Sequence, residues 1–124
     1  MITARNGIPN YQTTFTDGIR SAISDTTLKS GGSDQGFHPH DLLEAAIAAC
    51  MNMTVRIYAA SKQIPLTGVV TRVTLDKSNP AEAVFRSEVE LEGDLTEEQR
   101  AKLHRVAAGC PVRRTLMRTI RFEE

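Results

Sequence analysis

Two residues of this 124-residue chain are suited to covalent redox chemistry, its only cysteines, Cys50 and Cys110. A thiolate is a strong nucleophile, and two thiols within reach of each other can cycle between dithiol and disulfide. The start of the chain, Met1-Ile2-Thr3-Ala4-Arg5-Asn6-Gly7, is too polar for a signal peptide, which leads to the expectation of a cytoplasmic protein. In that compartment thiols are kept reduced, so the cysteines are expected to be free, catalytic or metal-bound rather than a permanent bridge. We read them as the functional centre, a redox thiol pair.

Their settings differ. Cys50 sits among Ala48, Ala49 and Met51, with Met53 and Thr54 one turn on. Such a cysteine is either a small buried hydrophobe or a thiol whose pKa an apolar site would raise. Cys110 lies in Gly109-Cys110-Pro111, with Arg113 and Arg114 close behind. A thiol at a helix start beside two guanidinium groups has an electrostatic reason to ionise, the other reading being a cysteine that merely caps a turn. Of the three histidines, His38 and His40 flank Pro39, and with Asp41 and Glu44 they match no zinc-ligand spacing; polar residues at a helix start are mostly caps. His104, between Lys102 and Arg105, reads as a solvated surface residue.

The elements that must position the thiols follow from patterning. Tyr11 to Ile23 alternates in places around Asp17-Gly18, a hairpin signal, and the glycine-rich stretch Ser30 to Gly36 reads as a loop. Pro39 suits the first position of a helix expected to run to about Ala60, with Asp41 and Glu44 at the positive end of its dipole. This helix is apolar on every side, so the pattern predicts burial all round. Glu44, Asn52, Thr54 and Arg56 interrupt it too often for a membrane span, and we expect no membrane association.

Leu66–Asp76 and Val84–Leu91 read as strands, the second with Phe85, Ser87, Val89 and Leu91 on one face and Arg86, Glu88 and Glu90 on the other, joined by Lys77-Ser78-Asn79-Pro80 as a hairpin. Thr96-Glu97-Glu98-Gln99 is a capping box opening a second helix with Leu103, Val106 and Ala107 inward, and Gly109 is expected to end it in a left-handed conformation. Pro111 starts a further helical turn, and Thr119 to Glu123 alternates as a last strand. The order predicts an α+β fold in one domain spanning residues 1–124. One small sheet cannot cover a helix that is apolar all round, so a homodimer is expected.

Balanced charge, 15 basic against 15 acidic residues without a run of either sign, argues against nucleic acid as a partner. The chain has no Gly-x-Ser-x-Gly motif and no glycine-rich loop ending in Gly-Lys-Ser/Thr, which excludes the commonest hydrolase and phosphate-binding readings.

The segment from Pro39-His40-Asp41 through Ala48-Ala49-Cys50, followed 60 residues after that cysteine by Cys110 in Ala108-Gly109-Cys110-Pro111-Val112, resembles the OsmC/Ohr family of thiol-dependent peroxidases. The resemblance covers most of the chain, element order included. It implies antiparallel sheets around a long central helix in an intertwined homodimer with two-cysteine sites at the subunit interface. By position it makes Cys50 the peroxidatic cysteine and Cys110 the resolving one. It further implies an organic hydroperoxide as substrate, no bound cofactor or metal, and an external dithiol or lipoylated reductant in oxidative-stress defence. Neighbours of Leu43, Ile47, Met51 and Met53 would supply an apolar pocket for fatty-acid or aryl hydroperoxides. The alternatives are a non-catalytic redox sensor or small apolar ligand-binding protein of the same fold and, more distantly, a metal-binding protein using His38, His40 and the thiols.

One position departs from the pattern. In the hydroperoxide-reducing branches the residue after the helix-starting proline is a glutamate, which holds an arginine from the N-terminal sheet against the reactive thiol; here it is His40, which resembles the OsmC-like branch. An imidazole does not grip a guanidinium as a carboxylate does. Asp41 falls nearly opposite Cys50 around the helix, whereas His40 falls about 80° from it. His40 is therefore the candidate to lower the Cys50 pKa, with Arg20 and Lys29 the nearest cations, each of which also reads as a solvated strand or loop residue. On this reading His40→Ala raises the thiol pKa of Cys50, followed by the pH dependence of its alkylation; an unchanged value removes the imidazole from the activating device.

Overall fold

Pairing in the N-terminal third begins from Asp17-Gly18. The Asp17 Oδ1 accepts the amides of Ile19 and Arg20 at 2.9 and 2.7 Å, and Gly18 takes φ +97°, open to glycine without a Cβ penalty. The turn joins β2 (Thr13–Thr16) to β3 (Ser21–Ser24) as expected, and β1 (Thr3–Asn6) adds to the other edge of β2, giving the antiparallel order β1-β2-β3. The polar sequence Thr-Ala-Arg-Asn of β1 carries no alternation that would have marked it as a strand.

The glycine-rich stretch is a loop with a specific anchor. Asp25, buried, accepts Ser33 Oγ at 2.8 Å, the amide of Gln35 at 3.1 Å and the amide of Thr26 at 2.8 Å. These bonds, the Ser33 hydroxyl foremost, hold its carboxyl below the usual range. A Cβ on Gly32 would meet the Thr26 carbonyl, and one on Gly36 the Ile23 carbonyl, so both glycines are set by close backbone approach.

The computed structural model describes all 124 residues as two compact units, Met1–Leu43 and Glu44–Glu124, and α1 (Pro39–Ser61) runs through the boundary. In the second unit α1 lies on a two-stranded antiparallel sheet of β4 (Leu66–Asp76) and β5 (Val84–Gly93). Three polar side chains fix that seating: Glu44 Oε1 accepts the Leu75 amide at 2.7 Å, Thr71 Oγ1 donates to the Ala48 carbonyl at 2.8 Å, and Asn52 Nδ2 donates to the Val69 carbonyl at 2.9 Å. By length and composition α1 is also apolar enough to cross a membrane, a test that the core helix of a soluble domain passes as well. Of its polar interruptions, Glu44 and Asn52 are bonded to the sheet, and its stripe Ile47, Met51, Val55 and Ala59 is buried in the core.

That stripe packs in one cluster with Leu103 and Ala107 of α2 (Glu97–Ala108) and with Cys110, flanked by Val69, Val73, Phe85 and Val89 of the sheet. Burying each of Met51, Val55 and Leu103 contributes about 1.5–3 kcal/mol. The capping box of α2 is present, with Thr96 Oγ1 accepting the Gln99 amide and Gln99 Oε1 accepting the Thr96 amide.

Three expectations are corrected. Only one stripe of α1 is buried; Leu43, Met53 and Ile57 are 42, 52 and 70% exposed, because a single two-stranded sheet and α2 cover one side of a helix. Gly109 sits at φ −94°, not left-handed, since the chain turns directly into α3 (Pro111–Leu116) and needs no reversal there. Thr119 to Glu123 is not a strand, for no strand of this chain offers it backbone partners; Ile120 and Phe122 stand exposed.

Candidate active site

Cys50 lies midway along α1, half-buried, at the border between the buried stripe and the exposed apolar one. Its Sγ is 4.0 Å from the Thr54 hydroxyl one turn on. Cys110 is delivered to the same core by the α2–α3 turn, where its amide donates to the Ala107 carbonyl at 3.2 Å and its carbonyl accepts the Arg114 amide at 3.1 Å. It is the N-cap of α3, its Sγ accepting the Arg113 amide at 3.4 Å. Both thiols are free, and Cys50 packs against the cluster that contains Cys110.

The electrostatics reverse one expectation. Cys110 is 0% exposed, and burial is the main cause that pushes its thiol up from the ordinary value of 9.0. The Arg113 amide pulls it down, and the neighbouring Cys50 sulfur pushes it further up. Desolvation thus outweighs the helix start, whose six-residue α3 offers a weak dipole, while the side chains of Arg113 and Arg114 are exposed to water, which screens them. Cys110 is held as a thiol, and Cys50 is the more accessible sulfur.

The other sequence candidates belong to the first unit. Arg20 is on the β2–β3 turn, largely exposed, with its guanidinium 2.9 Å from Asp17. Lys29 lies exposed in a short 3-10 turn, Leu28–Ser30. His38 Nε2 is 3.0 Å from Asp34 Oδ1, and Asp41 Oδ2 accepts the His38 amide at 3.0 Å, which makes Asp41 a cap for the start of α1. His40, exposed in the first turn, is ten residues from Cys50 along the helix, a rise of about 15 Å. It does not touch that thiol within its own helix.

Of the apolar neighbours expected to line a pocket, Ile47 and Met51 border a cavity of about 440 Å³ between α1, β5 and the segment from Arg113 to Ile120, whereas Leu43 and Met53 do not. Sequence reasoning missed Arg113 as a cavity wall and Glu44 as the anchor on β4. Glu44 carried a signal, a carboxylate in an apolar run that needs a partner once buried.

A family model for OsmC-like protein matches residues 31–124. The chain belongs to the OsmC-like protein family. Solved structures share its fold. The OsmC-like protein from Mycoplasma pneumoniae aligns at TM-score 0.77 with 23% identity over 94% of this chain and 85% of that one. An organic hydroperoxide resistance protein OsmC from Legionella pneumophila aligns at 0.68 with 22% identity, over 94 and 88%. The organic hydroperoxide resistance protein OhrB of Bacillus subtilis aligns at 0.61 with 24% identity, over 94 and 89%. None of the curated proteins matches the chain significantly. The expected α+β architecture, antiparallel sheets with a long helix, is therefore that of this OsmC-like chain.

The two thiols should respond differently to alkylation. In the reduced protein iodoacetamide is expected to modify Cys50 at least about tenfold faster than Cys110 near pH 8, with Cys110 gaining reactivity only above the ordinary thiol range or on unfolding. Peptide mass spectrometry over time measures both; faster modification of Cys110 would contradict its desolvated setting.

Proposed function

We propose that this OsmC-like protein acts in redox or stress defence as a thiol-dependent peroxidase of organic hydroperoxides. What carries the reading is the pairing of a half-exposed Cys50 with a fully buried Cys110 in one apolar cluster. The Cys50 thiolate attacks the distal oxygen of ROOH, the O–O bond breaks, and the alkoxide takes a proton to leave as ROH, oxidising Cys50 to a sulfenic acid. The Cys110 sulfur then displaces that hydroxyl; its thiol proton leaves with it as water, and a Cys50–Cys110 disulfide forms. An external dithiol or lipoylated reductant restores both thiols by exchange, itself becoming a disulfide. Keeping Cys110 protonated until the sulfenic acid exists suits a resolving thiol. The similar Legionella and Bacillus proteins are organic hydroperoxide resistance proteins, which supports the substrate class.

Reduced protein is to be treated with tert-butyl hydroperoxide and, separately, hydrogen peroxide, with dithiothreitol as reductant. Faster thiol loss with the organic peroxide, a Cys50–Cys110 disulfide by mass spectrometry, and loss of turnover by at least about 100-fold in Cys50→Ser are expected. In Cys110→Ser a dimedone adduct should accumulate on Cys50. Turnover that survives Cys50→Ser would sink the reading, and intact thiols in excess peroxide would favour the non-catalytic sensor or ligand-binding alternative.

The same reading includes a homodimer. Leu43, Ala46, Cys50, Met53, Ile57 and Ala60 follow one another at spacings of three and four residues, an a/d seam of the kind that packs a second helix, and all but Cys50 are exposed. A partner helix on this seam would enclose Cys50 and exclude water from its chemistry. Light scattering is expected to give twice the chain mass, with Ile57→Glu shifting it to the monomer; a native monomer at micromolar concentration would overturn the assignment.

A further inference from the structure

Within α1 one hydroxyl reaches the sulfur of Cys50. The Thr54 Oγ1 lies 4.0 Å from Sγ, one turn on, and this is its one hydrogen-bond contact. A threonine inside a helix ordinarily turns its hydroxyl back to the carbonyl four residues earlier, as Thr115 does to Pro111 at 3.1 Å. Thr54 aims its hydroxyl at the side chain four residues earlier instead. The contact is long for a neutral thiol, and ionisation makes sulfur the stronger, closer acceptor. At about 100° per residue Thr54 falls about 40° from Cys50, on the side of the buried stripe, and is itself half-buried. A donor placed there is partly shielded from the water that would compete for the sulfur.

The other polar groups around Cys50 are committed elsewhere. Between α1 and the sheet, Glu44, Asn52 and Thr71 bond to backbone groups, and α2 presents Leu103 and Ala107 to the cluster. Cys110, the titratable group that faces Cys50 from the α2–α3 corner, keeps its proton and accepts the Arg113 amide, while the side chains of Arg113 and Arg114 are exposed. We propose that Thr54 is a further residue of the thiol site, its hydroxyl donating to the Cys50 thiolate and so favouring Cys50 as the sulfur that ionises. This rests on the reading of Cys50 as the attacking thiol. A hydrogen bond to the charged form stabilises the thiolate and lowers its basicity. More thiolate is then present at neutral pH, and each is a weaker nucleophile by less than the gain in its amount, because nucleophilicity follows basicity with a slope of about 0.4–0.5. The net effect is faster attack below the pH of half-ionisation and no gain above it.

The test is the pH dependence of iodoacetamide alkylation at Cys50 in the reduced native protein, in Thr54→Val and in Thr54→Ser, followed by peptide mass spectrometry so that Cys110 is scored separately. Valine keeps the shape of threonine and removes the donor, whereas serine keeps the donor. Thr54→Val is expected to raise the midpoint by at least about half a pH unit, to slow alkylation at pH 7 about twofold, and to leave it as fast or faster above the midpoint. Thr54→Ser is expected to stay within about 0.2 units of the native midpoint. An unmoved midpoint in Thr54→Val, or the same shift in both variants, would overturn the proposal, the second result marking a packing role. Should Thr54→Val fail to fold, Thr54→Ala against Thr54→Ser makes the same comparison. Because no peroxide is present, a midpoint that does not move removes Thr54 and leaves the turnover of tert-butyl hydroperoxide as the independent measure of the peroxidase reading.

Discussion

The packing of one stripe of α1 against the α2–α3 corner is the constraint on which the placement of the two thiols rests. Ile47, Met51, Val55 and Ala59 recur every four residues, and Leu103, Ala107 and Cys110 meet them. The chain between the two cysteines, which are 60 positions apart, is brought back by a hairpin and a helix, each anchored locally. Glu44, Ala48 and Asn52, again four apart, bond to β4 through Leu75, Thr71 and Val69, so α1 can neither slide nor rotate on the sheet without leaving buried polar groups unpaired. The helix register is thus fixed twice, by shape and by hydrogen bonds. Fixing it places Cys50 at the rim of the cluster that holds Cys110.

Burial then divides labour between chemically identical side chains. Cys110 is wholly desolvated and its sulfur accepts the Arg113 amide, so it is both a core residue and the cap of α3. A thiol in that position is slow to ionise. Cys50 packs against the same cluster and keeps part of its surface exposed. The difference comes from position in the packing, because the two exposed arginines after Cys110 act through water that screens them.

Much of this was legible beforehand, for identifiable reasons. The bounds of β4 and the start of α1 follow from strong punctuation by Pro39 and the turn at Lys77 to Pro80, and the capping box at Thr96 marked α2 without ambiguity. Strand β1 was invisible because Thr-Ala-Arg-Asn has no apolar period, and its pairing is dictated by the neighbour, β2. The tail from Thr119 showed the opposite failure, an alternating pattern with no strand in this chain to pair it. At the site, the two cysteines and their separation were readable. Which thiol would be buried was not, since helix-start electrostatics can be seen in sequence and desolvation depends on the three-dimensional packing of residues far apart in it.

The apolar surface of α1 is the remaining thread, and it bears on how a thiol can be both protected and accessible. A helix of this hydropathy would be costly to leave with Met53 and Ile57 in water, each carrying apolar area worth about 25 cal/mol per Å² if covered. The exposed seam and the buried stripe flank Cys50 from either side, so covering the seam would desolvate Cys50 as well and strengthen every electrostatic contact made there. Cys50 would then lie in a closed apolar setting. Covering the seam leaves the second thiol as it is, for Cys110 Sγ caps α3 through the Arg113 amide, and any bond drawing that sulfur toward Cys50 would release the first turn of α3 from its cap.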